Sequence, residues 1–110
     1  MLWRSYCVVP VGDKSAWSYD PFEGIVDNGT LYGRGSSDMK SAIAAFVCAS
    51  RDFINKAKFT GSISMLITND EEGPAINGTK KVLEKIYSEG EKISSCLVGE
   101  PTSPKNIGEM

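Results

Sequence analysis

Histidine does not occur anywhere in the 110 residues. Its absence removes the commonest general base and the commonest zinc ligand. Charge of one sign is also scarce. Fourteen acidic against twelve basic residues leave a formal charge of −2, which gives no electrostatic footprint for a nucleic-acid partner. No apolar run is longer than a short strand or one helix face, so nothing reads as a membrane span and no membrane partner is expected. Met1-Leu2-Trp3-Arg4 is not followed by the apolar stretch of a signal peptide. Cys7, Cys48 and Cys96 are odd in number and widely spaced, a pattern that suits reduced thiols better than a disulfide framework. A cytoplasmic location is the expectation, and the sequons at Asn28-Gly29-Thr30 and Asn77-Gly78-Thr79 then read as turn chemistry. The rest is ordinary: 41% hydrophobic and 24% charged residues suit one modest folded domain or a piece of a larger one.

The chain has no repeat, low-complexity tract or linker. Leu2 to Val9 reads as a strand ended by Pro10, and residues 11–23 as a loop in which Trp17 and Tyr19 are anchors. Residues 24–32 centre on Asn28-Gly29 and predict a hairpin with a type I′ turn. A glycine-rich turn, Gly33 to Asp38, leads into a predicted helix from about Met39 to Lys56, with Ile43, Phe46, Val47 and Ile54 on its apolar face. Ser62 to Thr68 is nearly continuous in apolar character and predicts a buried strand of the parallel kind. A second helix is expected over Thr79 to Ser88 with Gly90 at its C-terminus, and a third core strand over Ile93 to Val98. Met39, Phe46, Phe53 and Val82 are expected in the core, with Cys48 and Cys96 as small buried hydrophobes. Strand, helix, strand, helix, strand gives the fold class: α/β, a mostly parallel sheet with flanking helices.

In open α/β sheets, ligands sit beyond the carboxyl ends of the strands. Three acidic features fall at such places: Asp38 in the turn before the first helix, Asp70-Glu71-Glu72 after the Ile63–Thr68 strand, and Glu100 after Val98. Carboxylates that converge repel one another and raise each other's pKa unless a cation compensates them. A pair of divalent metals would do so, with one carboxylate bridging and a spare one activating water. A solvated acidic loop and a turn residue before Pro101 account for the same letters, so the residues alone leave both readings open. Gly33-Arg34-Gly35 is too short for a dinucleotide fingerprint.

Several segments in order resemble one family. They are residues 8–13 (VVPVGD), 17–22 (WSYDPF), 32–40 (YGRGSSDMK), 70–79 (DEEGPAINGT) and 97–102 (LVGEPT). The chain is similar to the co-catalytic zinc aminoacylase and carboxypeptidase family, and the 70–79 run points more narrowly to its succinyl-diaminopimelate desuccinylase branch. The resemblance implies that Asp38 bridges two zinc ions, with a cis peptide to Met39. It implies that Glu71 is the general base, that Glu72 ligates one zinc and that Glu100 ligates the other. Cobalt is a possible substitute for zinc. The implied reaction is hydrolysis of the succinyl amide of N-succinyl-diaminopimelate, a small-molecule substrate, to succinate and diaminopimelate for lysine and peptidoglycan synthesis. Deacylation of acetylornithine or of other acyl amino acids is neighbouring chemistry.

One departure is specific. The family carries Gly-His-x-Asp just before Val-Val-Pro, whereas Arg4, Ser5, Tyr6 and Cys7 stand there in this chain. The family's second zinc-binding histidine would lie beyond Met110, and the lid domain through which relatives form homodimers is also missing. The expectation is therefore an incomplete catalytic domain over residues 1–110 that is inactive alone, each metal keeping Asp38 and one glutamate where catalytic zinc takes three protein ligands. A single-base frameshift would explain the altered segment, because a permitted codon choice for residues 1–7 spells Gly-His-Thr-Asp in the neighbouring frame. Cys7 as a substitute ligand, a non-catalytic remnant, and a small metal-binding or interaction module are the alternatives.

Overall fold

The computed structural model describes residues 2–5, 9–68 and 74–101, the first four as main chain. Its strands are β1 (Leu2–Ser5), β2 (Ile25–Asp27), β3 (Thr30–Tyr32), β4 (Met65–Thr68) and β5 (Leu97–Val98), and its helices are α1 (Ser41–Lys56) and α2 (Thr79–Ser88). β2 and β3 pair antiparallel with Asp27 opposite Thr30. Asn28 and Gly29 between them have φ of 47° and 78°, the two positive values that a type I′ turn needs. The remaining three strands form a second sheet in the order β4-β1-β5, with β1 parallel to both neighbours. The architecture is a mixed helix and strand fold in which a two-stranded antiparallel sheet stands apart from the parallel trio. The parallel part of the expected sheet is these three strands, and the hairpin is not joined to it.

Several expectations about burial are corrected. α1 begins at Ser41 rather than Met39, because Asp38 (φ −116°, ψ 102°) and Met39 (φ −137°, ψ 25°) leave the helical region. No residue of α1 or α2 is buried, and Val47, Phe53 and Ile54 of the expected core face are about half exposed. The cause is area. α1 spans roughly 24 Å, whereas strands of four, four and two residues run only about 7 to 13 Å each. β4 is covered on one face alone, with Leu66 and Thr68 buried and Ile67 exposed between them. β5 keeps two residues of the six expected, and both are exposed at a sheet edge. Cys48 and Cys96 are exposed too, not buried. Met39 is buried as expected, and with Leu66 it forms the buried apolar core of the described residues.

α2 matches its predicted bounds. Gly90 follows it with φ +84°, and its N–H donates to the Tyr87 carbonyl, as a helix terminus requires.

Candidate metal and catalytic site

The turn that presents Asp38 is built by its glycines. Gly35 takes a left-handed conformation (φ 80°, ψ 5°), which a side chain rarely tolerates. A Cβ there would also meet the Lys40 side chain at 3.2 Å and the Asp38 carbonyl at 3.4 Å. The turn closes through Ser36 N–H to the Gly33 carbonyl at 3.1 Å and Lys40 N–H to the Gly35 carbonyl at 2.8 Å. Asp38 is exposed at its far side while Met39 points inward. The Asp38–Met39 peptide is cis, the conformation that the resemblance implies for it.

Glu100 follows β5 by two residues and is half-buried. Trp3 pairs with both Leu66 and Val98, so those two residues stand level across β1. Glu100 therefore leaves the sheet at about the height of Thr68, the end of β4. All three strands are parallel, which puts their carboxyl ends on one side. The chain passes from β1 to β4 on one flank and then to β5 on the other, and such a reversal of strand order opens a crevice at the carboxyl ends of the two strands involved. Here those are β1 and β5. The segment where the Gly-His-x-Asp departure lies begins inside β1 and the candidate ligand Glu100 follows β5.

Glu71 and Glu72 lie outside the described residues, as do Cys7 and Asp70. Among the described residues no three His, Cys, Asp or Glu side chains come together as a metal-binding group. Two candidate carboxylates, Asp38 and Glu100, do not by themselves meet zinc's requirement for three protein ligands. On the described residues, the donor set does not fit a zinc centre. The groove between α1 and the strands, about 400 Å³ with Phe46, Phe53, Ile63 and Leu97 on its walls, is apolar and includes none of the candidate carboxylates. Among the described residues the displaced titrations lie in the loop before the hairpin. The Ser15 N–H holds Asp13 below the ordinary carboxylate value, the Phe22 N–H does the same for Asp20, and the hydrogen bond to Asp27 raises Tyr19.

Arg34 is the residue whose importance the letters did not disclose. Its guanidinium lies 5.1 Å from the Trp17 ring and donates to the Pro10 carbonyl at 3.1 Å. An arginine between two glycines, with a tryptophan in the preceding loop, is the signal that was there to be read.

Residues 8–109 match the family model described as peptidase family M20/M25/M40. The chain belongs to this family. Among curated proteins, the M20-family segment is 57% identical over 103 residues to a succinyl-diaminopimelate desuccinylase of Parvibaculum lavamentivorans, covering 94% of this chain and 26% of the relative. It is 55% identical over 104 residues to one of Rhodospirillum centenum (94% and 27%) and 57% identical over 104 residues to one of Nitrosococcus oceani (94% and 28%). The chain thus spans about a quarter of the length of these M20-family relatives.

Proposed function

We propose that this chain carries the carboxylate part of the active site of an M20-family amidohydrolase acting on N-succinyl-LL-2,6-diaminopimelate, and that these 110 residues do not turn over by themselves. The observation that carries the substrate class is the 55–57% identity to desuccinylases over 94% of the chain. In this reading Asp38, Glu72 and Glu100 are metal ligands, with zinc as the metal and two ions in the complete site, and Glu71 is the general base. The parallel trio β4-β1-β5 is part of a larger, mostly parallel sheet, and the homodimer is made by parts of the longer enzyme. The enzyme works in the cytoplasm, in lysine and diaminopimelate synthesis. The common orientation of the strand ends, with Glu100 beyond one of them, supports a site on that side of the sheet.

No hydrolytic step is assigned to the chain alone, because the polypeptide has no histidine and its carboxylates leave each metal below three protein ligands. Succinate release from N-succinyl-LL-2,6-diaminopimelate by the purified chain, with zinc or cobalt added, is the test. The expected rate is indistinguishable from the metal-only blank. Turnover above that blank that disappears in Glu71→Gln would overturn the inactive reading and leave the assigned chemistry standing.

A further inference from the structure

Three contacts from Arg34 join two parts of the chain that are far apart in sequence, and a fourth braces one of those parts. The Arg34 guanidinium Nη2 donates to the Pro10 carbonyl at 3.1 Å, across 24 positions. Its backbone N–H donates to the Pro21 carbonyl at 2.7 Å. Its planar group lies 5.1 Å from the Trp17 ring, and that indole's Nε1–H donates to the Val11 carbonyl at 3.0 Å. Gly33 packs beside Pro21 and Gly24, where a Cβ would stand 3.4 Å from the Pro21 carbonyl oxygen and 3.6 Å from the Gly24 Cα, at van der Waals contact. One end of this assembly is Pro10–Val11, at the start of the loop before the hairpin. The other is the Gly33–Lys40 turn, which holds Asp38.

The arginine is chosen over a lysine for a physical reason. A guanidinium can stack on an aromatic face and donate in its own plane at once, and an ammonium cannot do both in this geometry. Arg34 Nε is buried with no hydrogen-bond partner. A group selected only to satisfy donors would not leave one stranded, so its orientation is set by the Pro10 carbonyl and the Trp17 ring together.

We propose that Arg34 is a positioning residue that fixes the Asp38 turn relative to the loop before the hairpin, at Pro10, Trp17 and Pro21, and so sets where the Asp38 carboxylate stands against that loop. The meaning of that placement rests on the reading of Asp38 as a site carboxylate. The latch itself does not. Arg34 touches no reacting group in this account and acts through the turn.

Amide hydrogen exchange on the whole chain, followed by NMR, tests it. In Arg34→Lys the Trp17 Nε1–H and the Lys40 and Ser36 N–H groups should all exchange at least tenfold faster, while the amides of α1 keep their rates. In Arg34→Ala, millimolar guanidinium chloride should restore slow exchange at Lys40, which sodium chloride at equal strength should not do. Faster exchange at Trp17 with Lys40 unchanged would overturn the proposal, since Arg34 would then anchor the loop alone. Equal acceleration throughout α1 would overturn it too, because the role would be general stability. If neither arginine variant folds, Trp17→Leu keeps Arg34, removes the stacking platform together with the indole bond to Val11, and carries the same prediction at Lys40. Asp38→Asn separates the two readings: it should leave Lys40 exchange unchanged, because the latch acts without the carboxylate, and acceleration at Lys40 equal to that in Arg34→Lys would overturn the proposal by showing that the carboxylate holds the turn.

Discussion

Residues 9–40 and the α1, α2 and sheet layer are held in different ways. In the first region, directed polar contacts reach across the chain: Arg34 to Pro10, Trp17 to Val11 and Tyr19 to Asp27 at 3.0–3.1 Å, with the Tyr19 and Tyr32 rings 4.9 Å apart. In the second, ion pairs such as Arg51–Asp52 and Lys85–Glu89 join near neighbours on exposed helix faces, where such pairs add at most a few tenths of a kcal/mol. Apolar burial has to hold that layer, yet Leu66 is its one buried large hydrophobe among the described residues, and Val47, Phe53, Ile54, Ile63, Leu97 and Val98 stand exposed. The loop and hairpin are tied by directed contacts although Phe22, Val26 and Leu31 stand exposed there as well. The helix and sheet layer has no such ties across the chain among the contacts named, so its uncovered apolar faces bear more directly on its stability and its tendency to associate.

The largest effect should come from Leu66→Ala. Truncating a buried leucine costs about 2–5 kcal/mol, a large share of the stability of any small domain. The expected result is loss of a cooperative thermal transition in the β4 and α1 amides. The ring-current shift of the Tyr19–Tyr32 contact should survive, because neither ring leans on Leu66 for its partner. Simultaneous loss of both signals would show that the two regions unfold as one unit and would break the comparison.

What was legible in the sequence follows the same division. Asn28-Gly29 specified its hairpin because only a few residues favour two consecutive positive φ values. Trp17 and Tyr19 were readable as loop anchors, since a buried aromatic with a polar tip finds a hydrogen-bond partner. The α2 bounds were readable from periodicity and Gly90. The face of α1 was not. Periodicity identifies which residues would be buried if a surface were present, and it is silent on whether these short strands supply one. β5 is paired with β1 over Leu97–Val98 alone, and periodicity does not say how far a partner strand runs alongside. For the site, the letters placed Asp38 at a turn and Glu100 beyond a strand, and the structure has them there. Arg34 was missed because its role depends on Pro10 and Trp17, contacts that exist only after folding.

A smaller effect sharpens the polar side of the comparison. The Tyr19 hydroxyl donates to the Asp27 carboxylate at 3.0 Å, and this bond raises the phenol above its ordinary value near 10. A group whose folded pKa is raised contributes stability below its unfolded value and loses that contribution as pH rises through the folded one. Tyr19 should therefore ionise above the ordinary phenol value when its ring-carbon shift is followed upward from neutral pH, and the Tyr19–Tyr32 ring contact should loosen in the same alkaline window. Tyr19→Phe should abolish that late step and leave the α1 amides untouched. Ionisation of Tyr19 at the ordinary phenol value would show that the bond does not persist in solution.

The smallest effect expected is at Asp20, and salt decides its cause. Its carboxylate accepts from the Phe22 N–H at 2.9 Å and pairs with Lys14 at 3.3 Å, and the backbone bond is the larger reason its pKa is held below 3.8. Here the sign is opposite to that at Tyr19: a depressed folded pKa gives a contribution that is present above the ordinary carboxylate value and lost as pH falls through the lowered one. An ion pair this exposed is screened by salt, whereas a hydrogen bond to a main-chain N–H is much less so. The low-pH titration of Asp20, read from its side-chain carbon shift, should therefore stay depressed in high salt. Lys14→Ala should move it back only slightly toward the ordinary value, and Asp20→Asn should preserve the turn at neutral pH, since the amide oxygen still accepts from Phe22. A full return to the ordinary value in Lys14→Ala would assign the shift to the ion pair, and with it one of the polar contacts that distinguish this loop from the helical surfaces.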